Sequence, residues 1–156
     1  MAVKPIPDDR RGATPYLIVK GAARAIEFYK KALGVEELMR MEGPDGQIGH
    51  AEIKLGDALV MLADEHPHMG FRSPEALGGS PVILALYVED VDARVARAVA
   101  AGATLVRPVK DQFYGDRSGQ ITDPFGHVWI IATHVEDVSE EEMQRRAEAF
   151  MKQQGG

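Results

Sequence analysis

The chain has 156 residues, 45% of them hydrophobic, with a formal net charge of -6 at neutral pH and no cysteine. That length holds one domain with a sizeable core and one further short element, and the missing cysteines exclude disulfides, thiolate metal sites and a cysteine nucleophile. The acidic balance argues against nucleic acid as a partner and suits a neutral or cationic ligand; with no apolar stretch near the length of a membrane span and no apolar signal core at the start, the sequence predicts no membrane partner and a cytoplasmic location.

Residues 1–12, rich in proline and charge, read as an N-terminal arm. Residues 14–19 are a strand candidate, and residues 22–33 a helix with Ile26, Tyr29 and Leu33 at helical spacing and Gly34 placed to stop it. Three antiparallel strands follow over 36–42, 50–55 and 58–63, because Gly43-Pro44-Asp45-Gly46 and Gly56-Asp57 are turn signals. Residues 66–80 have no periodicity and read as a linker or a flap. The order then returns over 81–135: an apolar strand, a helix capped by Asp90 and stopped by Gly102, and short strands separated by a longer loop over 109–118. Gly56-Asp57-Ala58-Leu59-Val60-Met61-Leu62-Ala63 lies over Gly126-His127-Val128-Trp129-Ile130-Ile131-Ala132-Thr133, so modules 13–65 and 81–135 are two copies of one plan. Within residues 136–156, Ser139 and Glu142 form a capping box ahead of an apolar stripe of Met143, Ala147, Phe150 and Met151. The resulting C-terminal helix packs on its own sheet, or serves as a dimer contact or lid.

Two such modules, together with Ala25-Ile26-Glu27-Phe28-Tyr29 and Asp123-Pro124-Phe125-Gly126-His127, make the chain resemble the vicinal-oxygen-chelate superfamily, which holds glyoxalase I, fosfomycin and bleomycin resistance proteins and extradiol dioxygenases. Thr14-Pro15-Tyr16-Leu17, Tyr114-Gly115-Asp116-Arg117 and the Asp123 to Trp129 stretch are most similar to its PhnB-like group. The resemblance implies an α+β fold, with two βαβββ modules forming a cupped open barrel in a single domain over 13–135. It further implies a homodimer and a small organic molecule bound in the cup.

Metal-using members take one ligand each from the first and last strand of both modules. The matching positions here are Thr14, Ile83, Val60 or Met61, and Ile130, none of them a good ligand. A shift of one residue gives Ala13, Pro15, Val82, Leu84, Leu59, Trp129 and Ile131, which do no better. The expectation is therefore no cofactor and no metal. A divalent ion held by displaced ligands, from His50 and Glu52 with His134, is the alternative.

Strand alternation puts His50, Glu52 and Lys54 on one face and Ala51, Ile53 and Leu55 on the helix side. It likewise puts Thr14, Tyr16 and Ile18 opposite Leu17 and Val19. Tyr16 offers an aromatic wall with a hydroxyl tip, or is a core tyrosine; Tyr87 has the same two readings, with the core favoured. The segment Phe113 to Arg117 concentrates binding chemistry in a loop, and within it Arg117 either grips an anion or pairs with Asp116 or another carboxylate. Asp123-Pro124-Phe125-Gly126 is a type I turn by its chemistry, His127 and Trp129 are packing residues, and Glu65-His66-Pro67-His68 is an exposed turn.

The expected function is a small-molecule-binding protein of the bleomycin-resistance type, with Thr14, Tyr16, His50, Glu52, Tyr114, Asp116 and Arg117 as ligand contacts. The alternative is a lyase or isomerase, either metal-dependent through displaced ligands or metal-free with His50 and Glu52 moving the proton.

Overall fold

Residues 2–155 are described in the computed structural model; Met1 and Gly156, the outer ends of the expected arm and tail, lie outside them. Each module folds as strand, helix and three strands. The first holds β1 (Tyr16–Val19), α1 (Ala22–Leu33), β2 (Glu36–Glu42), β3 (Ile48–Leu55) and β4 (Ala58–Asp64). Between the modules lie a 3-10 turn (Pro67–Met69) and α2 (Pro74–Leu77). The second holds β5 (Ile83–Tyr87), α3 (Val91–Ala101), β6 (Thr104–Asp111), β7 (Asp116–Thr122) and β8 (Val128–His134), followed by α4 (Glu140–Gln154). Sheet orders β1-β4-β3-β2 and β5-β8-β7-β6 are the same topology written twice, with the first strand parallel to the last and the remaining pairs antiparallel. The α+β architecture of two βαβββ modules with an added C-terminal helix is as the sequence predicts.

The chain divides into two compact units: residues 1–81 with the turn 124–127, and residues 82–123 with 128–156. In the first, α1 lays Ala22, Ala25, Ile26, Tyr29 and Ala32 against the sheet, meeting Leu17, Val19, Ala51, Ile53 and Leu62 from the strands. All are buried, so the helical and strand periodicities meet in one apolar core. Phe125 of the turn adds its ring to this core, 6.1 Å from Phe28 and 6.3 Å from Tyr29 between centroids. Gly126 beside it has φ +91, and a Cβ there would come within 2.7 Å of the Pro74 side chain, so no other residue fits the turn without displacing α2. His127 donates from Nε2 to the Ile18 carbonyl at 3.0 Å, which agrees with a packing role.

The second unit buries less. From α3 only Val91, Val95 and Ala98 are buried, against Ile121, Trp129, Ile131 and Ala132. Trp129 finds its polar partner in buried Asp123, which accepts from Nε1 at 2.9 Å.

Two segments are more ordered than the sequence suggests. In 66–80, Ser73 is a buried N-cap that accepts from the Ala76 N–H, with Pro74 at the first helical position; its hydroxyl also donates a short hydrogen bond to Glu65. The loop expected over 109–118 shrinks to 112–115, because β6 continues to Asp111 and β7 starts at Asp116.

Candidate functional site

Each sheet turns one face to its helix and leaves the other open. On the first sheet, the cross-strand partners Tyr16, Met61, Glu52 and Met39 fall in one row, since paired residues share a face. His50 and Lys54 stand on either side of Glu52 along β3. The polar groups of this face form one chain of hydrogen bonds. Tyr16 Oη lies 2.8 Å from His50 Nδ1, and His50 Nε2 lies 2.8 Å from Glu52 Oε2. Arg10, from the N-terminal arm, closes the chain with a bidentate grip on the same carboxylate, at 2.7 Å to Oε1 and 3.1 Å to Oε2.

Electrostatics fixes the proton positions. Glu52 is only 7% exposed, yet the hydrogen bond from His50 and the charged pair with Arg10 hold its carboxyl below the ordinary carboxylate range. An ionised carboxylate has no proton to give, so His50 Nε2 donates to it; in the neutral ring Nδ1 then accepts, and the Tyr16 hydroxyl donates. Partial burial, and then the Glu52 charge, push the Tyr16 phenol above its usual value, so it keeps its proton at neutral pH. At 41% exposure Tyr16 is open to solvent, and its oxygen can still accept a hydrogen bond. Lys54 and Leu59, paired to each other, continue the same face to a cavity of about 350 Å³ that Asp9, Leu38 and Asp57 also line.

The open face of the second sheet carries its own network. Asp116, only 6% exposed, accepts from the Tyr87 hydroxyl at 2.5 Å and lies 2.9 Å from His134 Nδ1, while His134 Nε2 lies 2.7 Å from Asp137. The hydrogen bond to Asp116 first, and then that to Asp137, raise the His134 pKa, because each carboxylate favours the imidazolium. Tyr114, with Ser118 and Gln120, lines a pocket of about 90 Å³.

Among the expected ligand contacts, Tyr16, His50 and Glu52 come together on the first sheet, and Tyr114 and Asp116 stand on the second. Thr14 precedes β1. Arg117 takes the second of its two readings: one step along β7 from Asp116, it points to the opposite face, where its guanidinium meets Asp92 of α3 at 2.8 and 3.0 Å and Asp111 at 3.1 Å. There it holds the strand to the helix. Tyr87 is 62% exposed, so it is no core residue; its ring stands on the open face with its hydroxyl anchored on Asp116.

Two participants were not visible in the sequence. Arg10 sits in a segment of mixed charge and proline that carries no periodicity, and nothing local marks its partner 42 residues away. Asp137 follows the last strand and is recognised only through His134.

The four positions that the resemblance marks for metal ligands, Thr14, Ile83, Val60 or Met61, and Ile130, supply at most one hydroxyl. Among the described residues no three His, Asp or Glu side chains are grouped to hold an ion, and His50 and Glu52 bring only two donors, already bonded to each other. The residues present do not fit the metal centre. No helix among the described residues is long and apolar enough to cross a membrane.

Comparison with known proteins agrees with this architecture. An uncharacterized protein of Mycobacterium tuberculosis is 46% identical over 145 residues, covering 91% of this chain and 83% of that protein. The X-ray structure of a gene product from Arabidopsis thaliana superposes with a TM-score of 0.66 at 31% identity, covering 78% of this chain and 97% of the other. A PhnB protein from Bacillus cereus, described as a putative 3-demethylubiquinone-9 3-methyltransferase, superposes with a TM-score of 0.62 over 79% of this chain and 99% of its own; at 18% identity it speaks for the fold alone. The family model for the Glyoxalase/Bleomycin resistance protein/Dioxygenase superfamily matches residues 13–131, which span both βαβββ modules, and the chain belongs to that superfamily.

Proposed function

We propose that the protein binds a small organic molecule on the open face of its first sheet, without a metal ion, and works as a homodimer in the cytoplasm. The observation that carries this is the chain Tyr16–His50–Glu52–Arg10. The hydrogen bonds along it leave the Tyr16 oxygen able to accept, beside Met61 on a face that also carries Met39. An apolar surface with one oriented polar group is the usual anatomy of a small-ligand site. The ligand therefore brings a hydrogen-bond donor, and the Asp9 and Asp57 carboxylates at the neighbouring cavity, set against the single Lys54 ammonium, favour a neutral or cationic one.

A second reading, a metal-free lyase or isomerase, draws on His50 lying between a carboxylate and an accessible hydroxyl, as a base lies between its orienting group and its substrate. Against it, both Glu52 oxygens are taken by Arg10 and His50, and Tyr16 holds its proton. A thermal-shift screen of hydroxyl- and amine-bearing small molecules, followed by calorimetry on the best binder, separates the two. Binding predicts that Tyr16→Phe and His50→Gln raise Kd by roughly five- to tenfold, the worth of one or two hydrogen bonds, and that the ligand is recovered unchanged. Conversion of the ligand, lost in His50→Gln, makes the protein an enzyme. Affinity indifferent to both substitutions removes this face from the site.

A further inference from the structure

We infer that the second unit carries a separate binding pocket, made for the oxyanion of a small organic acid or phosphate ester and centred on Arg107. Its polar lining is Arg107, Gln112, Tyr114, Ser118 and Gln120, with Ile130 as the apolar wall. Cross-strand pairing puts Arg107, Gln120 and Ile130 in one row across β6, β7 and β8, so their side chains share the open face. Ser118 lies two residues from Gln120 on the same side.

The hydrogen-bonding state of these groups distinguishes the pocket from the rest of the unit. Arg117 is tied to Asp92 and Asp111, and Arg146 to Glu136 and Glu142. Among the described residues, by contrast, no side-chain hydrogen bond or ion pair engages Arg107, Gln112, Ser118 or Gln120. Residues bearing a guanidinium, two amides and two hydroxyls thus line one space, and no carboxylate lines it. The nearest carboxylate on the same strand face, Asp116, has its oxygens engaged by Tyr87 and His134. Donors without acceptors around a fork-shaped cation are suited to a planar or tetrahedral oxyanion.

Size limits the ligand. A volume of about 90 Å³ holds a few waters or one anionic head group, with the Tyr114 ring and Ile130 left for an apolar body. Gly119 forms part of the floor: a Cβ there would come within 2.8 Å of the Val109 side chain and 3.3 Å of the Arg107 carbonyl. Any larger residue would push on the backbone that carries the guanidinium. The inference rests on the small-molecule reading only in taking the ligand to be small.

The test is an amide-NMR titration of the full chain with benzoate, with phenyl phosphate, and with benzyl alcohol as their uncharged counterpart. At least one anion is expected to shift the Ser118, Gly119 and Gln120 amides in a saturable way while benzyl alcohol does not, and the stronger of the two identifies carboxylate or phosphate. Arg107→Gln should raise Kd tenfold or more and Arg107→Lys by less, because lysine keeps the charge and loses the fork. Should Arg107→Gln disturb the spectrum generally, Gln112→Ala provides the same comparison at a residue outside the strands. Equal response to benzyl alcohol, no shift at these amides with either anion, or an unchanged Kd in the variants overturns the inference. His50→Gln should leave the anion titration unaltered, so failure of the pocket and failure of the first-sheet site are read separately.

Discussion

Gly21 starts α1 with a left-handed backbone and no side chain, so the first N–H groups of that helix have no acceptor of their own. The acceptor is Asp64, at the far end of β4: Oδ1 takes the Gly21 and Ala22 N–H groups, each at 2.8 Å, and Oδ2 takes the Ile48 N–H at 2.7 Å. In the second module Asp90 caps α3 directly through the Ala93 N–H, and Thr133 takes the Val91 N–H. Asp90 was legible because it stands immediately before its helix. Asp64 was not, because its role depends on β4 pairing in parallel beside β1, which sets Asp64 against Val19. Asp64→Ala strips three part-buried donors of their acceptor and should cost about 2–4 kcal/mol, with Asp64→Asn costing less because one oxygen remains. Equilibrium denaturation checks this, and a loss under about 0.5 kcal/mol for the alanine variant would show that water serves these donors equally well. Gly115 sets a similar limit: at φ +99, a Cβ there would lie 2.3 Å from the Glu136 carbonyl, so the loop between β6 and β7 closes on the chain after β8 only with glycine.

The element least supported by burial is α4. Its sequence begins well, with Ser139 accepting from the Glu142 N–H and three glutamates in the first turn, where the helix dipole favours them. Yet no residue of it is buried, and Phe150 and Met151 of the expected stripe are exposed. What holds it is Arg146, which binds Glu142, Glu136 and the Phe113 carbonyl, together with the Phe113 and Phe150 rings at 5.1 Å. Arg146→Ala should therefore lower the local stability of α4 by about 1 kcal/mol, a roughly fivefold rise in opening. Hydrogen exchange should show faster α4 amides and unchanged β7 and β8 amides; uniform acceleration would mean that the helix unfolds only with the whole unit. The remaining elements were legible to within a residue or two wherever a helical stripe lay between glycines, as in α1. Strand β6 runs past the expected loop start at residue 109, to Asp111, and so includes Pro108. The proline falls in the irregular pairing between Arg107 and Lys110 on an edge strand, where a missing N–H costs little.

At the scale of the whole molecule, the internal repeat made the fold legible, because two copies of strand, helix and three strands admit few topologies. What each sheet exposes was less legible, since alternation shows which residues share a face and not which face or edge stays uncovered. Both sheets leave edge strands, and β2 is the most conspicuous: Leu38, Met39 and Met41 are exposed along it. Edge strands are normally protected by charge. On β2 most of the charges are spent internally, with Arg40 bound to Glu37 at 2.5 Å and to Glu42 at 3.2 Å, and Lys30 of α1 bound to Glu37 at 3.0 Å, while Glu36 stands outside this network at the start of the strand. These contacts hold the Glu37 carboxyl down to about 2, the Arg40 hydrogen bond contributing most, so the network persists at neutral pH. An edge with most of its charges paired and three apolar side chains is suited to a second copy of itself, because a twofold contact sets like against like. Sedimentation at micromolar concentration should give about twice the chain mass, and Met41→Lys combined with Leu38→Lys should shift it to the monomer without loss of the far-ultraviolet spectrum. A single-chain mass that persists as concentration rises would place the apolar edge strand among surfaces that stay solvated.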